Sequence, residues 1–315
     1  MTERVVTRGE NSSGQPGVSG GTHIRLDGEG AGNGPPLVLI HGGGLDHTMW
    51  DLVVGALATA RLVVRYDLLG HGQSVDPPGP RTVEDLVGQC LEVLDTCGPV
   101  PPDVAGLSLG GMVALGLAAR HPGRLGRLAL CNTVFDRSAE EVRRIRERLS
   151  LAEAGGMGAV VDLAVDRWFD AGWQVTHPDR VDAVRNRLLS NNLEAYLKAY
   201  GAFVEGDPLM PGEAYSVVTR ALAVTGELDP GSTPAMTRAL AVALKDCRAV
   251  ILPGLHHIPP IEDPTAFVRC SGPSSRNPAH LTAPSSPGRR PGERLPALHR
   301  QRVLRVLRRG PVRDG

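Results

Sequence analysis

Aromatic residues are scarce in this chain of 315 residues, at 3 %. The core must therefore be built from aliphatic side chains, and at 41 % the hydrophobic residues are numerous enough to build one. Net charge is also lacking: 34 basic residues balance 34 acidic ones, so bulk charge gives no reason to expect a nucleic-acid partner or an acidic substrate. The five cysteines are odd in number, and no pair has the spacing of metal ligands. That argues against a disulfide framework or a zinc site and for reduced thiols in a cytoplasmic protein. The opening MTERVVTRGENSSGQPG has no apolar segment of the signal-peptide kind, and no apolar run approaches the length of a membrane span. The chain has no internal repeat.

What is present divides the chain into four parts. Residues 1–22 are polar and rich in Gly and Ser, which predicts a mobile arm. From Pro36 onward, short apolar runs end in turn signals: Leu37 to Ile40, Arg61 to Asp67, Val104 to Gly106, Leu128 to Asn132, Ala221 to Gly226 and Arg248 to Pro253. Helical stretches such as Thr82 to Leu94 and Gly111 to Arg120 separate several of them. Apolar strands alternating with helices predict an α/β fold with a mostly parallel central sheet, built from residues 23–134 and 212–269. Between them, residues 135–211 lose the strand signal, and Ser138-Ala139-Glu140-Glu141 opens the stretch as a capping box. This predicts a helical cap over the carboxyl edge of the strands, where parallel sheets bind ligands. The cap holds Trp168, Phe169, Trp173, Tyr196, Tyr200 and Phe203, which either pack its helices together or line an apolar pocket. Residues 270–315 carry a Pro-, Ser- and Arg-rich composition without periodicity, which predicts disorder, with a short basic helix at Arg300 to Arg309 as the one candidate element.

The chemistry starts at Gly106-Leu107-Ser108-Leu109-Gly110, a G-x-S-x-G pattern between a strand and a helix. A serine on such a sharp turn is held strained with its hydroxyl exposed, and side chains two residues before and after would collide with the turn. A serine hydroxyl is a weak nucleophile at neutral pH, so it needs an imidazole to take its proton and an acid to fix that imidazole. Asp229 lies just past the strand Ala221 to Gly226. Two histidines, His256 and His257, follow the next strand. The order serine, acid, histidine is that of strand-helix hydrolases.

These pieces, HGGGLDHTMW, YDLLGHGQS, GLSLGG, TGELDP and HHIPPIEDPTAF, resemble the α/β-hydrolase superfamily over about residues 23–269. Within it the chain looks like the 3-oxoadipate enol-lactonase-like and carboxylesterase-like branch. The resemblance implies the α/β-hydrolase fold with a helical cap inserted between core strands. Aligned backward from Glu262 and Pro264, it makes His257 the base and puts His256 where relatives often have a small residue. It implies the backbone N–H groups of Gly43 and Leu109 as the oxyanion hole, with His41 bracing the glycine loop and Asp67 and His71 in a structural loop; Asp67 as the triad acid is the minor alternative. It further implies hydrolysis of a small ester or lactone without cofactor or metal. A substrate carboxylate would need a cation, for which Arg137, Arg167 and Lys198 are candidates. Trp168, Phe169, Arg167, Tyr196 and Tyr200 are the expected pocket residues. The same fold also supports C–C bond hydrolysis and non-catalytic binding proteins, so the reaction is not fixed by the fold.

Overall fold

The structure is a computed structural model, which describes residues 2–6, 21–28, 32, 34–206 and 209–271. Most of the expected N-terminal arm, and the Pro/Arg-rich tail from residue 272 with its candidate basic helix, lie outside the described residues.

In chain order the described elements begin with β1 (Thr2–Val6), β2 (Thr22–Asp27), β3 (Leu37–Ile40), α1 (Asp51–Leu57), β4 (Val63–Tyr66) and α2 (Val83–Asp95). There follow β5 (Asp103–Leu107), α3 (Leu109–Arg120) and β6 (Leu128–Cys131). Five helices come next: α4 (Ala139–Trp168), α5 (Ala171–Thr176), α6 (Pro178–Leu189), α7 (Leu193–Gly206) and α8 (Met210–Ala214). The chain then returns to the sheet through β7 (Ala221–Gly226), α9 (Pro234–Ala243) and β8 (Cys247–Leu252), and ends in α10 (Pro259–Glu262) and α11 (Pro264–Ser271).

The strands form one eight-stranded sheet in the order β1-β2-β4-β3-β5-β6-β7-β8. From β4 to β8 all neighbours are parallel, and β1 and β2 add an antiparallel edge. That edge corrects an expectation, because residues 2–6 form a strand where a mobile arm was expected, and β2 was not foreseen either. Val5 and Val6 favour extended backbone, and β2 alternates apolar Ile24 and Leu26 with polar residues, a weaker signal than the continuous apolar runs of the central strands.

The four residues of β3 are all buried, as befits a central strand covered on both faces. Side chains alternate between two cores. Val38, Ile40, Val64 and Tyr66 face α2, α3 and α9, whereas Leu37, Leu39, Val63 and Leu107 face α1 and α11. The five helices between β6 and β7 run to Ala214, three residues past the expected end of the cap, because Met210 and Ala214 are buried in the α2–α3 core. Within α4, Gly156 has φ 68° and ψ −170°, so the helix is two arms joined at a kink.

Candidate active site

Ser108 links the end of β5 to the start of α3 with φ 55° and ψ −114°. Its amide donates to the Cys131 carbonyl (2.9 Å), and its carbonyl accepts from the amides of Gly111 (2.9 Å) and Met112 (3.1 Å). The strained conformation, costly for a residue with a Cβ, is thus tied down from both sides. The flanking glycines are required by close approach. A Cβ on Gly106 would lie 2.0 Å from the Gly110 carbonyl oxygen, and one on Gly110 would lie 2.4 Å from the Ile40 carbonyl oxygen.

Asp229 follows β7, and His257 follows β8. Their side chains meet, Nδ1 of His257 standing 2.7 Å from Oδ2 of Asp229. Asp229 is 3 % exposed and also accepts from Asn132 Nδ2 (2.8 Å) and from the amides of Gly231 (2.8 Å) and Ser232 (3.0 Å). Burial alone would raise its pKa; the charge and hydrogen bond of His257, helped by Asn132 and the Ser232 amide, bring it below the usual carboxylate value. Asp229 is therefore an ionised acceptor, which fixes Nδ1 as the protonated nitrogen and leaves Nε2 as the basic one. Asn132 was not foreseen as a site residue. Its positive φ of 46° at the end of β6 turns the side chain toward Asp229, Thr225 and the His256 carbonyl.

The adjacent histidines diverge. The His257 amide donates to the Trp168 carbonyl (3.3 Å), and the indole of Trp168 stacks on the His257 ring with centroids 5.9 Å apart. His256 turns instead to Glu262. That buried carboxylate accepts from the amides of both neighbours of His257, His256 (2.9 Å) and Ile258 (3.2 Å). Desolvation raises the Glu262 pKa to about 7, against the pull of those two amides.

The loop after β3 lies against the serine turn. A Cβ on Gly42 would stand 3.6 Å from the Ser108 Cβ, and one on Gly43 would stand 3.7 Å from Leu109 Cδ2. His41 and His71 hold this loop. His41 Nε2 accepts from the Leu68 amide (2.8 Å) while its Nδ1 meets the Gly42 carbonyl (2.8 Å). His71 Nε2 accepts from the Gly44 amide (3.0 Å). Burial lowers the pKa of both, that of His71 to about 3, so both rings are neutral braces. Asp67 is 0 % exposed and serves the same region. It receives Nδ1 of His47 (2.7 Å), Nδ1 of His23 (3.0 Å) and the amides of His47 and Gln73 (both 2.9 Å). It has no contact with His257, which removes it as the alternative acid. The ligand-type atoms of His23, His47 and Asp67 lie within 4.8 Å of one another, the spacing a metal ion would need. Both histidines face the carboxylate through Nδ1 at hydrogen-bond distances.

Ser108, Leu109, Gly43 and His257 open into one cavity of about 320 Å³. Trp168, Arg167, Tyr196, Tyr200 and Phe203 are among the residues that line it. Phe169 is not among them. It caps the end of α4 in extended backbone (φ −140°), is 1 % exposed, and stacks on Trp173 in the core with centroids 4.8 Å apart. Lys198 is also displaced from the expected role, because it pairs with Asp76 and Glu194, both at 2.9 Å. Arg137 lines the cavity with its guanidinium 4.3 Å above the Phe203 ring.

A sequence profile of the Alpha/beta hydrolase family matches residues 37–269. Among curated proteins, the chain is 28% identical over 227 residues to (E)-2-((N-methylformamido)methylene)succinate hydrolase of Acinetobacter baylyi, covering 72% of this chain and 85% of the relative. It is 26% identical over 233 residues to 3-oxoadipate enol-lactonase 2 of the same organism, covering 74% and 85%. Among solved structures, the enol-lactonase from Burkholderia xenovorans LB400 superimposes with a TM-score of 0.73 at 36% identity, covering 79% of this chain and 94% of that one.

Proposed function

The chain belongs to the alpha/beta hydrolase family, and on that premise we propose that it is a cofactor-free serine hydrolase of small esters or lactones, with Ser108 as nucleophile, His257 as base and Asp229 as the acid behind it. The observation that carries this reading is the 2.7 Å contact between His257 and the buried Asp229, beside a strained serine that opens into the same cavity. In the reaction, His257 Nε2 takes the proton as Ser108 Oγ attacks the carbonyl carbon. The oxyanion that forms is held by the N–H groups of Leu109 and Gly43, each such donor contributing about 3 kcal/mol to the transition state. His257 then gives its proton to the departing oxygen. Water, deprotonated by the same imidazole, releases the acid from the acyl-enzyme.

The names of the relatives favour a lactone as the finer substrate class. With an enol-lactone, the ring C–O bond breaks in the first step, and the enol that leaves tautomerises to a ketone. No helix among the described residues is long and apolar enough to cross a membrane. The test is turnover of a panel of small esters and enol-lactones by wild type and Ser108→Ala, with and without a chelator. The reading requires a loss of at least about 10³-fold in Ser108→Ala and no effect of the chelator. Wild-type turnover in Ser108→Ala would end it.

A further inference from the structure

The loop after β3 carries no side chains from Gly42 to Gly44, so its permissive backbone must be held by other residues. Gly43 lines the cavity, and among the described residues its amide has no protein acceptor. That N–H is one of the two oxyanion donors proposed above. Its direction is not free, because it shares a rigid peptide plane with the Gly42 carbonyl. The Gly42 carbonyl accepts from the Leu45 amide (3.2 Å) and meets Nδ1 of His41 (2.8 Å). The Leu45 amide in turn shares a plane with the Gly44 carbonyl. Two planar peptides and one hydrogen bond therefore link the Gly44 carbonyl to the Gly43 N–H.

The far end of this link is held by the helices between β6 and β7. Asn191, in the turn between α6 and α7, donates from Nδ2 to the Gly44 carbonyl (2.8 Å). Arg187, on α6, donates from one terminal nitrogen to Oδ1 of Asn191 (2.9 Å) and from the other to Oδ2 of Asp46 (3.1 Å). An amide whose oxygen faces a guanidinium must turn its NH2 group the other way, and here that is toward the loop. Asp46 is fixed in its turn, since its other oxygen accepts from the Thr48 amide (2.9 Å). The loop also touches α6 directly: a Cβ on Gly44, whose φ is 76°, would lie 2.8 Å from Leu188 Cδ2. Neither Asn191 nor Arg187 lines the cavity, so their contacts are with the loop and not with a substrate.

We infer that Asn191 is a positioning residue for the oxyanion hole, with Arg187 orienting its amide, so that the helices between β6 and β7 set the aim of the Gly43 N–H. This inference rests on the hydrolase reading above. The test measures kcat and KM on 4-nitrophenyl acetate, and inhibition by 2,2,2-trifluoroacetophenone, a ketone that serine attack converts to a tetrahedral oxyanion. Asn191→Ala and Asn191→Asp should each lower kcat by at least about tenfold with KM within about threefold, and weaken the inhibitor by a similar factor. Asn191→Asp is the sharper variant, because it keeps the shape and an oxygen for Arg187 and removes only the donor to Gly44. Thermal unfolding checks that each variant is folded; should neither Asn191 variant fold, Arg187→Met carries the same test with the same expected pattern. Arg185→Met, on α6 but paired with Asp162, should leave kcat and inhibition within about twofold of wild type. Unchanged kcat in folded Asn191→Asp, a rise in KM alone, or a fall in kcat without weaker inhibition would overturn the inference and leave the hydrolase reading intact. A folded wild type that neither turns over the ester nor is inhibited by the ketone would count against the hydrolase reading itself, and the inference would fall with it.

Discussion

At the scale of single residues, His256 and His257 show how little sequence adjacency means. Consecutive side chains point apart, and the structure sends His257 to Asp229 and His256 to Glu262. His257→Ala is expected to lower turnover by about 10³-fold or more, and His256→Ala by less than about tenfold, measured as kcat/KM on one ester. Glu262 grips the amides on both sides of His257, and its buried carboxyl titrates near 7 in place of the usual 4.5. Folding therefore favours its protonated form. The stabilisation is full below about pH 4.5 and is lost as pH rises through about 7, an effect of order 3 kcal/mol. Asp229 runs the other way: its depressed pKa stabilises the fold above the usual carboxylate value, and that contribution is lost as acid titrates it. Urea unfolding over a pH series should accordingly show wild type losing stability relative to Glu262→Gln as pH rises from about 4.5 to about 8. Parallel curves for the two proteins would contradict the assignment. The proposed roles of Ser108, Asp229 and the histidine pair follow from motif order. That of Asn132 does not, because an asparagine at a strand end is ordinarily a turn residue, and only its backbone angle shows that it points at Asp229.

At the scale of elements, two glycines have opposite kinds of necessity. Gly110 is needed for space: an added Cβ would sit 2.4 Å from a backbone oxygen of β3, which cannot yield without moving the strand. Gly156 is needed for conformation: its φ is 68°, but an added Cβ would meet nothing within 4 Å. Gly110→Ala should therefore cost more than about 3 kcal/mol and abolish turnover. Gly156→Ala should cost only about 1–2 kcal/mol. Chemical denaturation of both variants checks the order. The contrast also explains what the pattern of residues conveyed. The elbow glycines announce themselves by their fixed spacing around a serine between strand and helix. Gly156 sits in a helical pattern that continues on both sides, and nothing in the spacing says that the helix breaks there. The edge strands β1 and β2 were missed for a related reason, since antiparallel edges carry few of the continuous apolar runs that mark β3 to β8. Phe169 was misplaced because an aromatic at a helix end can turn either inward or toward the cavity, and its extended backbone turns it inward.

At the scale of the whole molecule, the candidate site is assembled from loops after β3, β5, β6, β7 and β8, all at the carboxyl edge of one sheet. No single segment contains it. The order of the motifs revealed the fold and points to the proposed reacting groups, whereas the cavity wall comes from helices whose facing sides only packing decides. The central claim is that Ser108, activated by His257, is the nucleophile. Intact mass after treatment with a serine-reactive phosphonate tests it most directly, on wild type, Ser108→Ala, His257→Ala and His256→Ala. The account predicts one adduct on wild type and on His256→Ala and none on the other two. An adduct that survives Ser108→Ala, or that is lost in His256→Ala but kept in His257→Ala, would contradict it.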